Sequence, residues 1–525
     1  MNESQTLMSD QPSVVRRLPS VVMLAICLLA FALRLGPLFD NRFHPDEALF
    51  STWALKIARG ENLLLIGVPI DKPPLLIYLN ALSFLVFGQS ELAARLPNLM
   101  ASVVSVVLVW RLGIGILGNG KLVGGQPDDR STNYQSTNLL PPLLLALSPF
   151  AILFAPTAFL DPLMVMFGLA SLVAASRGRA GWAGILLGLS FATKVQGLFF
   201  LPLIPIFWQR RSSSALPSHP FILSSCHTSW RFLLGTLSIV LAIIIWDRTH
   251  GGLPFWVQQT INYGGIRVIY ASELGPRAIG WLNFPPYFFG PIVGLLGLLG
   301  LPFLLYRDFT RGVRTRAAWL DLWLLTYSIG FFALHWFLAF PVWDRYFLIL
   351  VPIAALLLGR SLHLISTAAC QLVTRLTRLA MPPALLLSIV LLTMLPFGVI
   401  AARSGYPIGG DHGANDGIEQ VAGYLKTLPP GTVVYDHWLA WELGYYLGDG
   451  FAYLAYFDTP AALADDLRVF AQGDDRYVLF PAREAPDKVI DAIEQVGYTL
   501  TPVLETRNRF GETSFTLYRV VKRKA

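Results

Sequence analysis

Between about residues 18 and 401 the chain is a succession of apolar runs, and few folds accommodate that pattern. The runs lie near 18–39, 73–88, 96–117, 139–155, 160–176, 181–193, 195–208, 232–247, 286–305, 318–338, 346–359 and 380–401. A helix rises about 1.5 Å per residue, so roughly 20 apolar residues cross about 30 Å of hydrocarbon. Lipid offers the backbone no hydrogen bonds, so spanning segments of this kind must be helices. Hydrophobic residues make up 54% of the chain and charged residues 14%, against about 25% charged in soluble domains. A water-soluble core cannot bury so much apolar surface. The expectation is a polytopic α-helical membrane protein.

The net charge of +7 would suit nucleic acid, but the cations stand in short clusters between runs, so no nucleic-acid partner is expected. Arg16 and Arg17 precede the first run, which reads as a transmembrane helix with a cytoplasmic N-terminus. Arg210, Arg211 and Arg231 form one cluster, Arg307, Arg311, Arg314 and Arg316 a second, and Arg360, Arg375 and Arg378 a third. Cytoplasmic loops are enriched in Lys and Arg. That bias leaves about 248–285, about 339–345 and everything after about 402 outside the cytoplasm. An internal N-terminus and an external C-terminus need an odd number of spans, so the twelve runs imply 11 or 13 helices, with the miscount in 73–208. The insert from Asn119 to Asn138 is nearly neutral and does not orient itself. Cys27, Cys226 and Cys370 are isolated and show neither metal-ligand spacing nor a disulfide framework.

Composition divides the chain into a membrane domain over 1–402, with a first external loop at 40–72, a glycine-rich linker at 403–417 and a small α/β domain at 418–525. In the last part, 418–425 reads as a helix and Thr432–Tyr435 as a strand. Leu467–Phe470 and Tyr477–Phe480 read as further strand-like runs, Asp487–Val496 as a helix and Ser514–Val521 as an alternating strand. No phosphate-binding glycine loop and no nucleophile stands out there, so recognition or packing is the expected role.

The first external loop carries the chemistry. Pro45, the acids Asp46 and Glu47, and Gly60 punctuate a helix, and Leu49, Phe50, Trp53 and Ile57 recur on one face of it. An amphipathic helix beside a span should lie in the interface plane. Asp46 and Glu47 would then stand at its tip; alternatively they only complement the helix dipole. The loop closes on Asp71-Lys72-Pro73-Pro74-Leu75. Lys72 on the external side is not explained by orientation. It either snorkels or meets an anionic headgroup.

Three motifs in order, Pro45-Asp46-Glu47, DKPPL at 71–75 and ELAARLPNLMAS at 91–102, resemble polyprenyl-phosphate-sugar glycosyltransferases of the GT-C fold. The superfamily in question is that of the protein mannosyltransferases and aminoarabinose transferases (glycosyltransferase families 39 and 83). The later half resembles them by architecture more than by motif. The resemblance implies transfer of a sugar from a polyprenyl-phosphate carrier to an acceptor outside the cytoplasm, with inversion. The acceptor could be a glycan, a lipid or a protein, and membrane lipids would surround the enzyme. By resemblance Asp46 is the general base and Glu47 a positioning carboxylate. A helix N-terminus weakens a carboxylate as a base, whereas desolvation strengthens it. Lys72 and Arg345 are candidates for the lipid phosphate; Arg345 could instead anchor the interface or pair with Asp344. Arg95 matches a family arginine that supports the phosphate or the loop. Asp161 matches an acid facing the cavity, although Asp before Pro162 is also explained as a helix cap. Lys194 matches a family Thr-Lys pair, against a default of snorkelling. Asp71 stands where aminoarabinose transferases carry a metal-holding Glu, and its side chain is shorter. With His44 and His250 as the other possible ligands, no obligatory metal is expected, although a divalent ion is possible. The loop 248–285, with His250, Asn262, Tyr263, Arg267, Tyr270, Glu273 and Arg277, suits sugar binding or an interfacial belt equally. The competing readings are a secondary transporter, against which stands the lack of an evident internal repeat, and a non-catalytic scaffold displaying the C-terminal domain.

Overall fold

The computed structural model describes residues 13–117, 139–208, 226–310, 316–377, 384–448, 450–471 and 475–523. The 119–138 insert and Arg210, Arg211, Arg311, Arg314 and Arg378 of the basic clusters lie outside the described residues. The chain divides into two compact units, one of residues 1–37, 64–76 and 95–409, the other of residues 38–63, 77–94 and 410–525.

The chain is a multi-pass membrane protein. Among the described residues seven helices are long and apolar enough to cross a membrane: Ser20–Asp40, Glu91–Ile114, Ser229–Thr249, Pro291–Thr310, Ala318–Phe337, Asp344–Leu376 and Leu385–Ala402. Shorter apolar helices cover Leu75–Phe87, Asp161–Ser176, Ala180–Thr193 and Val195–Phe207. Several runs that read as single spans are interrupted. The 139–155 run is two helices, Leu140–Leu147 and Pro149–Phe154, broken at Ser148, whose ψ of 117° leaves the helical region. Pro149 causes this, because its ring disfavours helical geometry in the residue before it. The break strands the last carbonyls of the first helix. Arg34, buried on the Ser13–Asp40 helix, donates to two of them, Leu145 O at 3.2 Å and Ala146 O at 3.0 Å. Its Nε donates to Ser102 Oγ at 2.9 Å. A guanidinium at a helix C-terminus both fills hydrogen bonds and complements the dipole. The 286–305 run is likewise broken, at Gly290 with φ of 69°, and 195–203 is a 3₁₀ helix.

Without a hydrophobic drive between helices in lipid, close backbone approach through small residues holds them together. The helices Ala180–Thr193 and Cys226–Thr249 do this: a Cβ on Gly184 would lie 2.0 Å from Phe232 O, and one on Gly235 2.5 Å from Gly181 O. Within a largely aliphatic core, Phe150, Phe154, Phe288, Trp281 and Phe347 are in ring contact.

The second unit is built on a five-stranded sheet of order β2-β1-β3-β5-β4, where β1 is Thr432–Asp436, β2 Ala452–Tyr456, β3 Arg476–Pro481, β4 Tyr498–Arg507 and β5 Thr513–Lys522. β2, β1 and β3 run parallel; β5 and β4 are antiparallel additions. The expected strand at Leu467–Phe470 is instead the end of a helix, Pro460–Phe470. Thr459 accepts from Ala462 N at 3.2 Å as its N-cap, and Pro460 is its first residue, a start signal that outweighs the β-branched Val469. The glycine-rich 403–417 stretch is ordered in its latter part. Asp411 Oδ1 accepts from Arg42 N at 3.0 Å, Asn415 donates to Phe43 O at 2.8 Å, and Asp416 pairs with Arg509 at 2.8 Å. The 38–63 segment therefore packs with the sheet domain. Its helix, Pro45–Ala58, lies against the helix Ala440–Leu447. The helix buries Glu47 and Ser51 as well as Phe50, Trp53 and Ile57, whereas Lys56 is half-buried and Arg59 exposed.

Candidate active site

In the membrane unit three cations from distant segments meet behind aromatic rings. Lys72 is buried just ahead of the Pro73-Pro74 pair; its Nζ donates to Asp71 Oδ2 at 2.6 Å and to Tyr263 Oη at 3.0 Å. The same ammonium lies 4.4 Å from the Tyr263 ring centroid, and Asn262 donates to Asp71 Oδ2 at 3.1 Å. Tyr263 in turn meets Trp343 edge-on, with centroids 5.5 Å apart. The Arg345 guanidinium sits 4.4 Å over Trp343 and 4.7 Å over Phe159. Asp344 accepts from the backbone N–H groups of Arg345 at 2.7 Å and Gly409 at 3.0 Å, which holds the turn that aims Arg345.

Lys194 completes the cluster. It ends the Ala180–Thr193 helix in extended geometry, and the 3₁₀ helix starts at the next residue. Its Nζ donates to Asp161 Oδ1 at 2.7 Å and lies 4.7 Å over Tyr346. The charges of Arg345 and Lys72 reach it. The snorkelling and capping readings of this pair do not hold. Lys194 and Asp161 are both buried, and Leu160, not Asp161, is the N-cap of the Asp161–Ser176 helix. Asp161 uses its carboxylate on the lysine. Arg95 is fully buried on the Glu91–Leu117 helix; Asn98, nearly one turn on, donates to Thr157 O and Phe159 O at 2.6 and 2.5 Å and so fixes the segment carrying Phe159. Of the 248–285 loop only Asn262 and Tyr263 join the cluster. Arg267 and Glu273 pair with each other at 2.8 Å, which holds the Glu273 carboxyl down at about 2. Arg277 donates to the carbonyls of His335, Trp336, Leu338 and Phe340 and closes a helix end.

In the second unit Asp46 is half-buried in the first turn of its helix. His44 is the N-cap: its Nδ1 accepts from Asp46 N at 3.2 Å, and Glu47 Oε2 accepts from His44 N at 3.0 Å. This reciprocal capping box makes Glu47, fully buried, the residue that fixes the Asp46 turn. Glu442, on the neighbouring helix Ala440–Leu447, was not legible as a site residue. It is fully buried, and neither of its carboxylate oxygens has a hydrogen bond among the described residues. Burial lifts its carboxyl to about 7, and the negative charges of Asp436 and Asp46 add to the rise. The signal that could have found it is an acid inside an otherwise apolar helix, Ala440-Trp441-Glu442-Leu443. Lys194 carried a comparable signal, a lone charge between two runs each too short to span.

The residues offered for a metal are otherwise engaged. His44 caps its helix, and His250 accepts from Gly252 N at 3.1 Å with Asp247 at 3.4 Å. Among the described residues no three His, Cys, Asp or Glu side chains converge.

Known proteins carry the same architecture. ArnT from Cupriavidus metallidurans, solved bound to undecaprenyl phosphate, superposes with a TM-score of 0.56 over 96% of this chain and 98% of its own, at 15% identity. Its apo structure gives 0.54 over the same shares, at 14% identity. The chain therefore has an ArnT-like fold, a helical membrane unit with a small C-terminal sheet domain. The family described as dolichyl-phosphate-mannose-protein mannosyltransferase matches residues 71–121 of this chain, the stretch holding Asp71, Lys72 and Arg95. A Bacillus subtilis (strain 168) protein, YycA, provisionally named a mannosyltransferase, is 27% identical over 224 residues, 40% of this chain and 30% of the relative. The chain thus spans less than a third of that curated relative.

Proposed function

We propose that this GT-C protein moves a sugar from a polyprenyl-phosphate carrier to an acceptor hydroxyl outside the cytoplasm, with inversion. The observation that carries the proposal is the convergence of Lys72, Lys194 and Arg345, set among Tyr263, Trp343, Phe159 and Tyr346. Gathering like charges inside a membrane unit is costly. Asp71 and Asp161 each offset one lysine, and a bound anion would offset the remaining positive charge. Lysine ammoniums and an arginine fork are donors suited to phosphate oxygens, and the aromatic faces stabilise the cations without consuming their N–H groups. The undecaprenyl phosphate of the Cupriavidus structure supports a lipid phosphate as the anion.

In the proposed reaction the acceptor oxygen attacks the anomeric carbon as the bond from that carbon to the phosphate oxygen breaks. Asp46 takes the acceptor proton, and the leaving polyprenyl phosphate gathers its charge on Lys72, Lys194 and Arg345. Glu47 and His44 hold Asp46 in place. Electrostatic stabilisation of a departing charge by prearranged donors is a large catalytic effect. The charge bias of the basic clusters supports an N-terminus inside and a sheet domain outside.

The test is transfer by the purified protein from radiolabelled undecaprenyl-phosphate sugars to a membrane extract. Wild type should transfer; Asp46→Asn should abolish transfer while retaining undecaprenyl-phosphate binding; Lys72→Met should weaken that binding. Equal transfer by wild type and Asp46→Asn would remove Asp46 as the base. Absence of undecaprenyl-phosphate binding by wild type would remove the reaction class.

A further inference from the structure

The sheet domain was expected to serve recognition or packing, and its surface shows which ligand chemistry it suits. The three parallel strands end on one edge. His437 and Trp438 follow β1, Tyr456 closes β2, and Glu484 follows β3. Open parallel sheets bind ligands outside the carboxyl ends of their strands. Here those ends are joined side chain to side chain. His437 Nδ1 lies 3.0 Å from Glu484 Oε2, the His437 ring stacks on Tyr456 with 14° between planes, and Trp438 meets Tyr456 edge-on at 5.2 Å.

Trp438 is held in an unfavourable posture. Its φ is +60°, a region L side chains other than Asn and Asp avoid, and its ring is 66% exposed. Asp436 Oδ1 accepts from Leu439 N at 3.0 Å and so pins the turn. Tyr456 is 49% exposed. Strain and exposed aromatic area both oppose stability, and a turn keeps both where the surface has a use. Two buried carboxylates of the same domain carry acceptors without donors. Asp436 Oδ2 and both oxygens of Glu442 are buried and have no hydrogen bond among the described residues. Arg483 and Asp436 both lie within electrostatic reach of Glu442.

We infer that Trp438, Tyr456 and His437, with the carboxylates of Glu484, Asp436 and Glu442, form a saccharide-binding platform at the carboxyl ends of β1, β2 and β3. A sugar ring presents C–H groups to an aromatic face and hydroxyl donors to carboxylate oxygens, which is the complement of this surface. An anionic lipid headgroup is a poorer match, because its phosphate would meet the Glu484 carboxylate beside His437. Glu442 stands on the helix packed against the Asp46 helix, and the Asp46 charge reaches it. The bound saccharide is therefore the acceptor, whose hydroxyl Asp46 would deprotonate. Naming it the acceptor rests on the transfer reaction proposed above; saccharide binding itself does not.

The experiment uses the full-length protein in detergent on an array of oligosaccharides built from neutral hexoses, amino sugars and uronic acids. At least one glycan should be retained, with an at least tenfold loss in Tyr456→Ala and in Trp438→Gly. The glycine relieves the positive φ, so Trp438→Gly removes the ring while keeping or raising the melting temperature. Both variants should bind undecaprenyl phosphate as wild type does, whereas Lys72→Met should not, which separates failure of the platform from failure of the transferase reading. The inference is overturned if no glycan is retained above the detergent blank, or if Trp438→Gly retains it equally. Trp438-dependent retention of phosphatidylglycerol vesicles in place of any glycan would also overturn it and make the face a membrane contact.

Discussion

The Asp161–Lys194 pair allows structure and function to be separated in one experiment. Both side chains are buried, and their charged atoms are 2.7 Å apart. Removing one member leaves a buried charge without its partner, which costs about 3–5 kcal/mol, whereas replacing both by neutral groups of similar volume is often close to neutral. Lys194→Met alone should therefore lower the thermal midpoint strongly, by about 3–5 kcal/mol of stability. Asp161→Asn with Lys194→Met should recover most of that loss. Phosphate affinity should behave differently. A charged hydrogen bond contributes about 1.5–3 kcal/mol, or about 10- to 150-fold in Kd. The double variant, although stable, should still bind undecaprenyl phosphate that much more weakly. Thermal shift in detergent reads the first quantity. Quenching of tryptophan fluorescence on titration with undecaprenyl phosphate reads the second. A double variant that binds like wild type would make Lys194 a structural residue and reduce the anion site to Lys72 and Arg345. A single variant that melts like wild type would mean that water reaches the pair, contrary to its burial.

Three further outcomes follow from other parts of the fold. Gly184→Ala should force the Ala180–Thr193 and Cys226–Thr249 helices apart, because the new methyl would meet Phe232 O at 2.0 Å; a loss of about 1–3 kcal/mol is expected, read by thermal shift. Glu47→Ala removes one arm of the capping box and should cost about 0.5–2 kcal/mol, with Glu47→Gln recovering part of it. Burial lifts the Glu442 carboxyl to about 7, well above an ordinary glutamate at 4.5. The folded state thus binds the proton more tightly, and stability falls as pH rises from about 4.5 to 7 and then levels, by up to about 3 kcal/mol. Glu442→Gln should flatten that slope and raise the melting temperature at pH 8; an unchanged slope would show that Glu442 is hydrated.

The membrane character and most helix positions were legible because lipid forces apolar length into helices. Helix starts were legible where chemistry marks them, as with Pro45 followed by Asp46 and Glu47. What was not legible depended on partners distant in sequence. Pro460 behind Thr459 announces a helix locally, yet the apolar run Leu467–Phe470 suggested a strand. The order of Asp411, Asn415 and Asp416 comes from Arg42, Phe43 and Arg509, and glycine content does not report such bonds. In the same way the Lys72 motif named its own segment but not Tyr263, more than 190 residues on in the chain, which supplies the hydroxyl beside it.

The interrupted runs explain where the chemistry went. A continuous helix satisfies its own backbone and turns its side chains to lipid or to a neighbouring helix. A break leaves carbonyls and N–H groups that require polar company inside the membrane unit. Arg34 answers the break at Ser148. Lys194 sits at the break between Thr193 and Val195 and meets Asp161 just after the Thr157–Leu160 turn. Arg345 lies in the 3₁₀ turn ahead of Leu350, and Lys72 ahead of the Pro pair that opens the next helix. Each cation of the proposed phosphate site stands at an interruption. There a short backbone excursion aims a charged side chain inward without exposing it to lipid. A run too short to span, with one charge at its end, is in this chain a marker of the site.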